Sequence, residues 1–194
     1  MIQSTTPHSN QPLFPPTHEA ALLPAGPGVE GHCSLNTIYQ EMERLPGGCR
    51  RLAVRLVSEV DPSLLWRVLT DYEGLSRFIP NLTASRVVRR SGRVVTLDQV
   101  GSQKLFGVNF TARVQLELTE APERGSLTFR MVKGDFRRFE GLWQVSAMEA
   151  GTSLLYALTV QGCVGMPIHL IEQRLRHDLS TNLRAVQQEA ESRI

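Results

Sequence analysis

Apolar and polar residues alternate along several stretches of the chain. Val108, Phe110, Ala112, Val114, Leu116 and Leu118 share one parity, and Asn109, Thr111, Arg113, Gln115 and Glu117 the other. A period of two predicts a strand with one buried face. The same reading predicts strands over 50–59, 82–90, 93–104, near 126–131, over 136–148 and over 153–161. Ser91-Gly92, Pro122–Gly125 and Ala150-Gly151 supply turns between them. Connections this short imply an antiparallel meander. Between the first and second strands, Asp61-Pro62-Ser63 has an N-cap residue followed by proline at the first helical position, predicting a helix to about Asp71. A second short helix spans Glu73–Phe78 and stops before Pro80. The period then changes near the C-terminus. After Pro167, Ile168, Ile171, Leu175, Leu179, Leu183, Val186 and Ala190 recur three or four residues apart, as in an amphipathic helix of about six turns. Arg174, His177, Gln187 and Glu189 fall on its expected outer face.

The order is therefore strand, two short helices, six antiparallel strands and one long helix. A sheet with one apolar face must bury it, and the long helix is the available cover. A twisted sheet curling around that helix leaves a hollow where the curvature is widest. The inward candidates are large and apolar: Phe110, Phe129, Met131, Trp143, Tyr156 and Leu158. Tyr72 and Phe78 join them from the short helices. Such a lining, with few polar groups, suits an apolar guest. Tyr72 has two readings, a gate to the hollow or a residue packed on the sheet.

Residues 1–49 have a different texture. They hold seven of the 11 prolines, four acids and one base. We expect 1–34 to be disordered, with a short helix over Leu35–Arg44 on Ser34 as N-cap, closed by Pro46-Gly47-Gly48. The domain is accordingly expected to run over 50–194, behind a Pro/Gly-rich tail at 1–49. Residues 50–194 carry 20 bases against 15 acids, an excess too small to imply specific nucleic-acid binding. Arg86, Arg89, Arg90 and Arg93 nevertheless cluster about one hairpin. They offer a basic surface for a peripheral membrane or protein partner. No aromatic residue lies among them, so a stacking platform for single strands is not expected. No apolar run reaches the ~20 residues of a membrane-spanning helix, and the N-terminus has no secretory signal pattern. Three cysteines without a Cys-x-x-Cys point to free thiols and a cytoplasmic setting.

The segment Ser63-Leu-Leu-Trp-Arg-Val-Leu-Thr-Asp-Tyr-Glu-Gly-Leu-Ser-Arg-Phe-Ile-Pro-Asn-Leu82 resembles the opening of the START-like (SRPBCC) superfamily. Its nearest branch is the polyketide cyclase/dehydrase and coenzyme Q-binding group. Phe139-Glu-Gly-Leu-Trp143 resembles a later strand of that branch. The resemblance covers 50–194. It implies an α+β helix-grip (START-like, Bet v-like) fold, with a curved antiparallel sheet around a long C-terminal helix and a hydrophobic cavity.

Chemistry-bearing constellations are sparse. His169 and His177 lie eight apart with Gln173 between them, a poor spacing for a helical metal pair. Cys163 has neither a base nor a third group beside it in sequence and reads as a packed thiol. No catalytic residue, metal or cofactor is assigned. The expectation is a non-catalytic carrier of a lipid, isoprenoid quinone or similar molecule, entered by movement of the short helices over 62–79 or of the start of the last helix near the hinge-capable Gly162-Cys163-Val164-Gly165. The alternatives are a cyclase or dehydratase acting on a poly-ketone, and an interaction role for the basic surface at a ribosome or membrane complex.

Overall fold

A computed structural model describes residues 35–105, 108–149, 151–163 and 168–194. The expected tail at 1–34 and half of the expected hinge, Val164 and Gly165, lie outside them. Strand β1 (Ile38–Arg44) pairs with β2 (Cys49–Ser58), which is followed by helices α1 (Pro62–Leu69) and α2 (Leu75–Phe78). Six strands come next: β3 (Leu82–Ser91), β4 (Val94–Leu105), β5 (Val108–Ala121), β6 (Ser126–Gly134), β7 (Phe136–Met148) and β8 (Gly151–Gly162). Helix α3 (Ile168–Ser192) ends the chain. The eight strands form one antiparallel sheet in the order β1-β2-β8-β7-β6-β5-β4-β3. The sheet does not close on itself, so β1 and β3 are its edges.

Residues 38–44 correct the expected helix, and they extend the sheet into the segment read as tail. Ile38 and Met42 stand four apart, which fits a helix, but they also share a parity. Tertiary pairing selects the strand: Ile38 faces Leu56 and Met42 faces Leu52. Pro46-Gly47-Gly48 is the turn between the two strands. Gly47 and Gly48 both adopt positive φ, at 70° and 76°, where a side chain would be strained.

Inward-facing partners build the core. Leu52 pairs with Leu158, Val54 with Tyr156, Leu56 with Leu154, and Trp143 with Tyr156. On the other face Ala53 clusters with Leu155 and Ala157, so the interior strand β2 is covered on both sides rather than one. Helix α1 starts as its sequence predicts, with the Asp61 carboxylate accepting the Ser63 backbone N–H at 2.8 Å. Its Leu64, Leu65, Val68 and Leu69 are buried with Leu179, Leu183, Val186 and Ala190 of α3. These residues pack α3 against α1 and the sheet. Among the described residues no helix is long and apolar enough to cross a membrane.

Candidate ligand-binding cavity

A cavity of about 370 Å³ lies between the concave face of the sheet, α2 and the middle of α3, from Arg174 to Val186. Leu97, Leu116, Leu118 and Leu127 form its sheet side, and Leu175, Leu179 and Val186 its helix side. One wall is aromatic. Trp143 and Tyr156 stack at 4.0 Å between centroids with 7° between planes. Phe129 tilts against Tyr156 at 6.1 Å and against Phe139 at 5.9 Å, and Phe136 continues the row 5.3 Å beyond Phe139. The tilted contacts of Phe129, Phe139 and Phe136 suit the ring quadrupoles. Gly141 makes the row possible. A Cβ there would stand 2.6 Å from Phe129 Cζ and 2.1 Å from the Ala157 carbonyl oxygen.

Of the predicted lining residues, the structure brings Phe110, Phe129, Trp143, Tyr156, Leu158 and Tyr72 to this cavity. Phe110 stands at the mouth, 47% exposed. Met131 and Phe78 correct the prediction: both pack against the core without lining the cavity. Met131 folds its sulfur over Gly134, 2.7 Å from where a Cβ would lie. Helix α2 turns Leu75 and Ile79 to the cavity and leaves Phe78 beside it. Tyr72 is wall, not gate. Its hydroxyl donates to Glu120 Oε1 at 2.6 Å, Arg90 pairs with the same carboxylate at 3.2 Å, and the Arg90 guanidinium lies 5.6 Å from the centre of the Tyr72 ring. Burial, with the Glu120 carboxylate beside it, pushes the Tyr72 phenol well above its ordinary value of 10. Burial alone does the same to Tyr156, so its hydroxyl stays protonated. No hydrogen bond reaches that hydroxyl among the described residues.

Helix α3 contributes polar groups that sequence reasoning missed. Arg174, Asp178 and Asn182 line the cavity at four-residue intervals, next to the stripe of Leu175, Leu179 and Val186. Arg174 was expected outside. Its buried Nε makes no hydrogen bond among the described residues and forms an ion pair with Asp178 Oδ1 at 3.5 Å; that oxygen accepts from Asn81 Nδ2 at 3.4 Å. The Asn182 carboxamide makes no hydrogen bond among the described residues, and its Oδ1 is buried. Asp135, at the mouth, accepts the Arg113 backbone N–H at 2.7 Å. The signal for these residues was angular: Asn182 stands three after Leu179 and four before Val186, inside the apolar stripe. Gln187 is likewise buried rather than outward, donating to Asn36 Oδ1 at 2.6 Å.

Away from the cavity, Glu172 of α3 is 5% exposed and held by two arginines, Arg44 Nε at 3.0 Å and Arg50 Nε at 3.1 Å. Gln40 Nε2 donates to the Arg176 carbonyl at 2.7 Å. These bonds tie the N-terminal half of α3 to β1 and β2. The basic hairpin is largely neutralised: Arg86 pairs with Asp98, Arg90 with Glu120 and Arg93 with Glu123. Cys163 is exposed rather than packed, its thiol 3.3 Å from the Asp135 carbonyl, because β8 ends at the cavity rim. His177 is exposed, and the side chains of His169 and Gln173 lie outside those described.

Residues 58–187 match the family described as polyketide cyclase / dehydrase and lipid transport. The chain belongs to that family. Solved structures agree with this polyketide cyclase/dehydrase fold. The STAR-related lipid transfer protein of Xanthomonas axonopodis is 15% identical, with a TM-score of 0.68 over 86% of this chain and 97% of that one. The Zhui aromatase/cyclase of Streptomyces sp. R1128 is 16% identical, with a TM-score of 0.66 over 75% and 95%. The ginseng major latex-like protein 151 of Panax ginseng is 13% identical, with a TM-score of 0.56 over 74% and 99%. Likeness at these identities establishes the helix-grip, START-like fold of the family and not the choice between transport and cyclisation. Comparison with curated proteins gives no match.

Proposed function

We propose that the protein binds one compact hydrophobic molecule in this cavity, a lipid, isoprenoid quinone or similar guest, and carries it without altering it. The observation that supports this reading is the cavity itself: about 370 Å³ with an aromatic row along one wall. That volume is near the lower end of the ~300–1,000 Å³ range of small-molecule sites, which favours a single compact guest over a two-chain lipid. Burying ~300 Å² of apolar guest surface contributes about 7 kcal/mol gross. Association costs reduce that figure, but enclosure alone is sufficient for useful affinity. Mass spectrometry of gently purified protein should find a co-purifying guest. Ala112→Trp fills the mouth side of the cavity and should lose the guest while the protein still unfolds cooperatively. A variant that retains the guest in full overturns the assignment to this cavity.

A second reading, cyclisation of a poly-ketone, draws on Arg174, Asp178 and Asp135 at the cavity wall. Acid–base chemistry needs such groups within reach of the reacting atoms. Incubation with a reactive linear poly-ketone separates the two. Faster disappearance of the chain, slowed by Asp178→Asn, supports the enzyme. An unchanged rate with retained binding supports the carrier.

A further inference from the structure

We propose that the guest is an uncharged alcohol or phenol, and that the Asn182 carboxamide receives its hydroxyl. This rests on the carrier reading and adds the class of molecule. Asn182 is on the cavity-facing stripe of α3, one turn after Asp178 and one before Val186. Its carboxamide finds no partner among the described residues, and one of its two branches is buried. A buried polar group without a partner is destabilising, and native proteins rarely leave one without reason. Most other polar side chains on this wall are engaged; one exception is Arg174, whose buried Nε makes no hydrogen bond among the described residues and stands 3.5 Å from Asp178 Oδ1. Asp178 accepts from Asn81 and pairs with Arg174, Asp135 accepts from the Arg113 backbone, and Gln99 donates to Ser85.

The chemistry of the carboxamide selects the guest. It has an acceptor on one branch and a donor on the other. A hydroxyl both donates and accepts, so it satisfies the buried branch in either orientation of the amide. A ketone or carboxylate cannot donate to the Asn182 oxygen. Charge adds a second selection. Among the described residues the charged side chains lining the cavity are Asp135, Asp178 and Arg174, whose Nε stands 3.5 Å from Asp178 Oδ1. An anionic head would meet more negative than positive charge in a medium of low dielectric, which is unfavourable. The unpartnered Tyr156 hydroxyl can donate to a hydroxyl, a ketone or a carboxylate alike, so it does not choose among those three.

Calorimetric titration with 2-naphthol, 2-naphthoate and 2-methylnaphthalene at pH 7 tests the proposal. These probes share one ring system and differ in the polar group. We expect 2-naphthol to bind about tenfold tighter than 2-methylnaphthalene, the scale of one hydrogen bond to a buried acceptor, and 2-naphthoate to bind weakest. Asn182→Leu should cut the preference for naphthol over methylnaphthalene several-fold. Asn182→Ala serves the same purpose should the leucine variant fold poorly. Naphthoate binding as tightly as naphthol, or a naphthol preference that neither substitution reduces, overturns the assignment to Asn182 while leaving the carrier reading intact. Failure of all three probes to bind overturns the carrier reading and this inference together.

Discussion

At the scale of single residues, the cavity depends on a side chain that is missing. Gly141 lets Phe129 lie flat against the sheet, and the Ala157 carbonyl closes the same space from the next strand. Gly141→Ala should therefore destabilise the protein by about 1–3 kcal/mol, the usual cost of overpacking a filled site. Urea unfolding measures this, and an unchanged midpoint would show that the backbone gives way freely. The aromatic row itself was legible from alternation, because Phe129, Trp143 and Tyr156 share the parity of their strands' apolar residues. Asn182 was not. Grouping α3 by polarity sent its polar residues outward as one face, whereas their angular positions divide them between cavity and solvent. Met131 failed for another reason: parity gives a side, and a long flexible side chain then chooses its own direction.

At the scale of elements, the least legible was β1, since Ile38 and Met42 fit both periods and only the partner strand decides. Its value lies in what it brings to α3. Burial alone would raise the Glu172 carboxyl, but the Arg44 and Arg50 guanidiniums outweigh that and hold it below the ordinary glutamate value of 4.5. A carboxyl with a lowered folded value contributes its full stability above about 4.5 and loses it as pH falls through the folded value. Glu172→Gln should thus flatten the acid limb of the stability–pH curve. It should also cost about 3 kcal/mol at neutral pH, because Arg50 remains buried without its counter-charge. Chemical unfolding at pH 3 to 7 measures both effects. An acid limb of unchanged slope would assign it to other carboxylates.

At the scale of the whole molecule, the order of elements was readable because each long strand and α3 carried a clean period. The expectation of a hollow rested on the mismatch between a curved sheet and a straight helix, and the periods gave no measure of its size. The true start of the sheet was not, since proline and glycine at 46–48 looked like a boundary and form a hairpin turn instead. Two shortened chains check this. One beginning at residue 35 keeps β1 and its bonds to α3, and one beginning at residue 49 loses them. The second should melt at clearly lower temperature than the first, or fail to fold, by circular dichroism. Equal melting temperatures would make β1 dispensable. The Trp143–Tyr156 stack has a practical consequence of its own. An indole facing the hollow and overlapping a phenol ring is a built-in optical reporter, whose emission shifts when a guest replaces the surroundings on its open side. Occupancy can therefore be followed in unlabelled protein, before the guest has been identified.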